Sequence, residues 1–223
     1  MANKRILSVS LLSADFSNLT QEIQTIEQSR VSDIWFHIDV MDGHFVPEIQ
    51  FGANIVRAIR KITNLPLDIH LMVNNPDRQT EIYANAGASW LSVHVETCLH
   101  LYRTIQDIKK LHVNAGVVLN PATPFVMIEP VIDAIDMVLA MTVEPGFSNQ
   151  KFIPSVLPKI RELRRLIDKS NPSVLLAVDG GINLETIDDL VAAGVDVFVA
   201  GSTVFDKGNH VVNIKALKAK TRD

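Results

Sequence analysis

The chain has 223 residues, 47% of them hydrophobic, a formal net charge of -4 and one cysteine, Cys98. That length holds a sizeable core in one large domain or two small ones, and a mildly acidic chain without a lysine or arginine run excludes nucleic acid and anionic membranes as expected partners. A lone cysteine rules out an intramolecular disulfide, so a reducing, cytoplasmic setting is expected and Cys98 reads as a small buried hydrophobe.

The first residues, MANKRILSVSLLSADF, start basic, but Ser8, Ser10 and Asp15 break an apolar stretch too short for a signal core. No run of about 18 apolar residues occurs, so no transmembrane helix is expected. From there, short β-branched runs alternate with longer amphipathic segments. The order is strand ILSVSLL, helix LTQEIQTIEQ, strand DIWFHIDVM, helix ANIVRAIRK, strand LPLDIHLMV, helix DRQTEIYANAG, strand WLSVHVE and helix HLYRTIQDIKKL. It continues with strand NAGVVLN, helix FVMIEPVIDAI, strand DMVLAMTV, helix PSVLPKIRELRRLID, strand SVLLAVDG, helix LETIDDLVAAG, strand VDVFVAGS and helix VVNIKALKAK. Gly87 and Gly194 fall where helices should end. Strand-helix units of this kind make a parallel sheet covered by helices, and eight of them, with no linker, predict a single-domain α/β fold over residues 1–223, a (β/α)8 barrel. An open doubly wound sheet is the competitor.

In a barrel, function gathers at the C-terminal ends of the strands. His37 and Asp39 end the second strand, His70 the third, His94 and Glu96 the fourth, and Asp179 the seventh. His37 and Asp39 share a face because strand side chains alternate with period two. A carboxylate buried there needs a partner or a cation, and a plain Asp-His hydrogen bond would satisfy it. With His70 and Asp179 converging from two further strands, the four make a plausible two-imidazole, two-carboxylate set for one divalent metal, zinc first, with iron, manganese and cobalt as alternatives. His94 and Glu96 are a rival set, ranked as a supporting pair. Met41, Met72 and Met141 also stand near strand ends and read either as core methionines or as an apolar lid over the metal.

Glycines at helix starts let backbone N–H groups approach an anion. The loops EPGFSNQKF, VDGGINLETID and VAGSTVF, after strands six to eight, carry Gly146, Gly180, Gly181, Gly201 and Ser202, with Asn183 as a helix cap. Three adjacent loops of this kind predict a phosphate site, held by backbone amides because no lysine or arginine stands at these strand ends.

The segments SLLSADF, FHIDVMDGHFVP, LDIHLMVNNPDR, VHVET, GVVLNPATP, MTVEPGFSNQKFIPSVLPKI, VDGGIN and VAGSTVF together resemble the ribulose-phosphate 3-epimerase family, in unbroken order from about Ile6 to Phe205. The resemblance implies a ribulose-phosphate-binding TIM barrel that interconverts ribulose 5-phosphate and xylulose 5-phosphate in the pentose phosphate pathway. It further implies a homo-oligomer and one divalent metal per subunit. Carried over by position, the metal ligands are His37, Asp39, His70 and Asp179, with Asp39 as proton acceptor and Asp179 as donor. Substrate contacts fall on Ser10, His70, Gly146, Phe147, Ser148, Asn149, Gly180, Gly181, Gly201 and Ser202. Departures from the family pattern are Val9 for proline, Glu48 for asparagine, and Ser148-Asn149 for a Gly-Gly pair. Asparagine tolerates the left-handed region, and serine can donate a hydrogen bond.

The expected chemistry is proton removal from carbon 3 beside a ketone, an enediolate stabilised by the metal, and reprotonation from the other face by the second aspartate. The nearest rival is an allulose-6-phosphate 3-epimerase. A sugar-phosphate lyase or decarboxylase would rely on a strand-end lysine, whereas Lys61, Lys109, Lys110 and Lys159 lie in helical patterns and Lys151 in a loop. A non-catalytic sugar-phosphate-binding barrel has no use for two opposed aspartates.

Overall fold

The Val-, Ile- and Leu-rich runs form eight parallel barrel strands in the computed structural model, which describes residues 5–206 and 209–221. They are β1 (Ile6–Ser10), β2 (Ile34–Asp42), β3 (Leu67–Met72), β4 (Trp90–His94), β5 (Asn114–Leu119), β6 (Met137–Met141), β7 (Leu175–Asp179) and β8 (Val197–Ala200). Each pairs with the next, and β8 pairs with β1, so the sheet closes into a (β/α)8 barrel and the open alternative falls away. The expected single domain over 1–223 and the basic start of the chain extend over residues 1–4, 207–208 and 222–223, which lie outside the described residues. Among the described residues, no helix is long and apolar enough to cross a membrane.

Period two then sorts every strand residue. Leu7, Val9, Phe36, Ile38, Ile69 and Leu71 turn outward into the large core beneath the helices. The inward set includes Trp35, Val118, Met137, Leu139, Ala177, Val197 and Val199, and Trp35 stacks on Trp90 with ring centroids 4.9 Å apart. Helices close the outer layer with buried pairs at i, i+3. These are Ile23 and Ile26 on α1 (Leu19–Gln28), Val56 and Ile59 on α2 (Ala53–Ile62), and, beyond α3 (Thr80–Ala84), Ile105 and Ile108 on α4 (Leu101–Lys110). On α5 (Leu157–Ser170) the pair is Ile160 and Leu163, joined by Ile167 one turn later. At roughly 1.5–3 kcal/mol per fully buried aliphatic side chain, this layer supplies much of the favourable free energy of folding.

Two expected elements differ. The segment FVMIEPVIDAI forms a 3-10 helix over Phe125–Val131, because Pro130 has no N–H for an α ladder and its ring would clash with the preceding turn. Before α6 (Ile187–Ala192), Asn183 makes a turn instead of a cap: its Oδ1 accepts from the backbone of Glu185 and Thr186 at 2.8 and 3.0 Å. The last expected helix, VVNIKALKAK, forms as α8 (His210–Lys220), capped by Asn209, and a short α7 (Ser202–Phe205) precedes it. Gly87 and Gly194 do take positive φ at the helix ends, as expected.

At the N-terminal end of the barrel, Asp196 stitches β7 to α5. Its Oδ2 accepts from the Leu176 N–H and from Arg164 Nη1, each at 2.9 Å. Removing the carboxylate strands both donors in a mostly buried setting. Asp196→Ala should lower the unfolding free energy by about 2–4 kcal/mol in urea titrations, with the barrel's near- and far-ultraviolet circular dichroism retained.

Candidate active site

Alternation on β2 and β3 points His37, Asp39 and His70 into the barrel, and the end of β7 brings Asp179 across to them. One ligand atom from each of the four lies within 4.8 Å of every other, so the cluster can hold one metal ion. His37 Nε2 stands 3.3 Å from Asp39 Oδ1 and 3.7 Å from Asp179 Oδ2; His70 Nδ1 stands 3.4 and 3.7 Å from the same two oxygens. Both imidazoles are fully buried, and these two nitrogens make no hydrogen bond. Two orphaned ring nitrogens facing two carboxylate oxygens suit zinc or another divalent first-row cation.

The other nitrogen of each ring is committed. His37 Nδ1 lies 2.7 Å from Asp68 Oδ2, which also accepts from the Ser8 hydroxyl at 3.0 Å. His70 Nε2 lies 2.9 Å from His94 Nε2, and His94 Nδ1 lies 3.1 Å from Glu96 Oε2. His94 and Glu96 therefore stand behind His70 and do not join the four. Ser10 donates to Asp39 Oδ2 at 2.7 Å.

Charges separate the two aspartates. Burial raises the pKa of Asp39, but His37 and His70 outweigh it and hold the carboxyl well below the usual range. Burial likewise raises Asp179; His37 pulls against this and Asp39 and Asp68 add to it, leaving Asp179 at about 7. Burial opposes a proton on His37, yet Asp39 and Asp68 raise its pKa well above that of free imidazole, and a cation would take that proton's place. One carboxylate is thus held charged while its neighbour can carry a proton near neutrality.

The remaining expected residues line one cavity above the cluster. Ser10, Asp39 and Asp179 form its floor, and Gly146, Phe147, Ser148 and Asn149 one wall. Gly180, Gly181, Gly201 and Ser202 face that wall, and no lysine or arginine is among the residues lining it. His37 and His70, the latter also expected to touch substrate, sit behind the floor. Met41, Met72 and Met141 are buried side walls; the first two pack with Val46, while Met141 belongs to the barrel interior. Asn149 takes a φ of +58° in the left-handed region. Gly181, at φ +64°, has no room for a side chain, since a Cβ would collide with the backbone of Phe152.

Two residues escaped sequence reasoning. Asp68 faces inward with His70, a spacing visible in LDIHLM, but only the register placing it beside His37 shows that it orients that ring. Asp42 builds the loop after β2: its Oδ1 accepts from the His44 and Phe45 N–H groups at 2.8 and 2.9 Å, and its Oδ2 from Asn74 N–H at 2.8 Å. The Met-Asp-Gly-His turn around it carried a signal for a turn, though none for the bond to the next loop.

The model of the ribulose-phosphate 3 epimerase family matches residues 6–205. The ribulose-phosphate 3-epimerase of Bacillus subtilis is 52% identical over 210 residues, covering 94% of this chain and 96% of the other. The chloroplastic ribulose-5-phosphate-3-epimerase of Arabidopsis thaliana is 42% identical, covering 97% and 77%. Among solved structures, the 3-hexulose-6-phosphate synthase of Salmonella typhimurium superposes with a TM-score of 0.72 at 17% identity, covering 97% of this chain and 98% of that one. At that identity the likeness is one of fold alone.

Zinc titrated into chelator-treated protein should bind at one site per chain, measured by competition with a chromophoric chelator, and His70→Ala should weaken it at least ~100-fold. A second expectation concerns acid. Burial raises Glu96, but hydrogen bonds from His94, Thr123 and the Asn120 N–H bring it down to about 2, against 4.5 for a free glutamate. A depressed carboxyl stabilises the fold above its unfolded pKa, and that contribution is lost as pH falls through 4.5 toward 2. In urea titrations, the stability gap between the protein and Glu96→Gln should be widest above pH ~5 and shrink toward pH ~2.

Proposed function

Because this chain belongs to the ribulose-phosphate 3-epimerase family and is an isomerase, we propose that it interconverts D-ribulose 5-phosphate and D-xylulose 5-phosphate by inverting carbon 3. The observation that carries the mechanism is the pair of aspartates at one cavity floor, with pKa values pushed apart. Inversion needs a proton taken from one face of carbon 3 and returned on the other. Asp39, held ionised and fixed by Ser10 Oγ at 2.7 Å, takes the proton. Asp179, which can carry a proton near neutrality, gives one from the opposite side; in the reverse direction the roles exchange.

His37, Asp39, His70 and Asp179 would hold the divalent cation. Bound there, it supplies a Lewis acid that offsets the negative charge developing on the substrate's oxygens. The chain's own residues do the rest. Met41, Met72 and Val46 keep water from the floor, and the glycine-bearing loops after β6, β7 and β8 offer backbone amides to the phosphate. Ser148 and Asn149 complete that grip, with Asn149 supplying the left-handed turn. A lyase or decarboxylase working through lysine finds no such side chain in the cavity walls.

Incubation of xylulose 5-phosphate with zinc-loaded protein in heavy water should yield ribulose 5-phosphate carrying deuterium at carbon 3, followed by NMR. Allulose 6-phosphate should react far more slowly. Asp39→Asn and Asp179→Asn should each lower turnover by about 10²–10⁴-fold, while one of the two variants still exchanges the carbon 3 proton of a single epimer without inverting it. Substantial epimerisation by either variant would refute the two-acid scheme.

A further inference from the structure

The two imidazoles of the metal centre are supported in different ways. His37 Nδ1–H donates straight to a carboxylate, Asp68, at 2.7 Å. His70 has no carboxylate behind it; its Nε2 meets the Nε2 of a second imidazole, His94, at 2.9 Å, and only His94 reaches a carboxylate. The two rings lie nearly parallel, 23° apart with centroids separated by 5.0 Å, and Phe45 closes the other flank of His94 at 4.6 Å. Both histidines are fully buried.

A nitrogen-to-nitrogen hydrogen bond needs one proton and one lone pair, so the direction of this contact is a choice between two tautomer pairs. Glu96 makes the choice. Its ionised carboxylate can only accept, so the His94 proton lies on Nδ1 and Nε2 offers a lone pair. His70 must then carry its proton on Nε2, which leaves its Nδ1 lone pair facing Asp39 Oδ1 and Asp179 Oδ2 at 3.4 and 3.7 Å. We infer that Glu96 is a positioning residue: acting through His94, it fixes the tautomer in which His70 presents Nδ1 to the cation. The inference rests on the reading of the four residues as a metal centre.

The surroundings of Glu96 sharpen the test. Its Oε1 accepts from the Asn120 N–H at 2.8 Å and from the Thr123 hydroxyl, while Oε2 alone faces His94. Lys159 holds the same loop from the other side, donating to the carbonyls of Asn120, Pro121 and Thr123 at 2.6, 2.9 and 3.2 Å. In Glu96→Gln, two donors therefore demand the amide oxygen at the Oε1 position, and the amide NH2 is turned toward His94 Nδ1. A donor in that place reverses the whole relay. His94 shifts its proton to Nε2, His70 Nε2 accepts it, and His70 Nδ1 becomes protonated and closed to metal.

Long-range ¹H–¹⁵N spectra of metal-free, histidine-labelled protein read the tautomers directly, and zinc competition reads the affinity. The protein should show His94 protonated on Nδ1 and His70 on Nε2; Glu96→Gln should show the reverse and bind zinc about 10–100-fold more weakly. Thr123→Val, which removes a donor from Oε1 but leaves the carboxylate, should keep the original tautomers and bind zinc within about threefold of the parent, as expected for a contact outside the relay. Unchanged tautomers and unchanged affinity in Glu96→Gln would overturn the inference while leaving the metal centre standing. Parent protein that binds no zinc would defeat the metal-centre reading and the inference with it. If Glu96→Gln does not fold, the parent spectrum decides alone, since His70 protonated on Nδ1 is incompatible with the proposal.

Discussion

Barrel closure is the constraint from which the rest of the molecule follows. Once eight parallel strands meet edge to edge, every second residue is committed to an interior without bulk water, and any polar group placed there must find its partner inside. The chain meets that demand unevenly. β1 to β4 send in Ser8, Ser10, His37, Asp39, Asp68, His70, Ser92 and His94, all buried. β5 to β8 send in Val118, Met137, Leu139, Met141, Ala177, Val197 and Val199, with Asp179 as the polar exception at the rim. The interior polar groups are therefore concentrated on the β1 to β4 side, where Trp35, Met41 and Met72 are the buried apolar members. Buried ions cost several kcal/mol each, so a cluster of this density is unfavourable for folding unless charge answers charge, as the imidazole and carboxylate contacts do.

That unfavourable interior is offset outside the sheet. The layer between strands and helices is continuous and apolar, anchored by aliphatic pairs one helical turn apart. Charged stitching such as Asp196 with Arg164 lies at the opposite end of the strands from the cluster. Stability and chemistry thus occupy different ends and different layers, which leaves the rim loops free to be shaped by the substrate.

How much of this was legible in the sequence depends on the range of each interaction. Strand alternation is local, so His37 with Asp39 in FHIDVM, and His70 in LDIHLM, could be assigned to one interior from the text alone. The eight-unit rhythm then placed Asp179 at the same end. The segment around Pro130 misled because its apolar pattern is that of an α-helix, while Pro130 limits its backbone to a 3-10 helix. What stayed hidden depends on contacts between loops distant in the chain. Asn74 bonds to Asp42 across 32 residues, and Thr123 to Glu96 across 27, and neither pairing follows from spacing or periodicity. His94 and Glu96 were visible as a pair; that they stand behind His70, and not beside it, required the barrel register.

The loop after β5 is gripped from both sides, Glu96 taking its N–H and hydroxyl groups while the Lys159 ammonium gathers three of its carbonyls. The loop after β6 is bound chiefly to itself, with the Gln150 amide donating to the carbonyls of Glu144 and Phe147 at 2.6 and 3.0 Å and the Phe147 side chain half exposed. Such unequal tethering leaves the β5 side of the mouth anchored by side chains of other elements and the β6 side resting largely on its own amide and carbonyl groups.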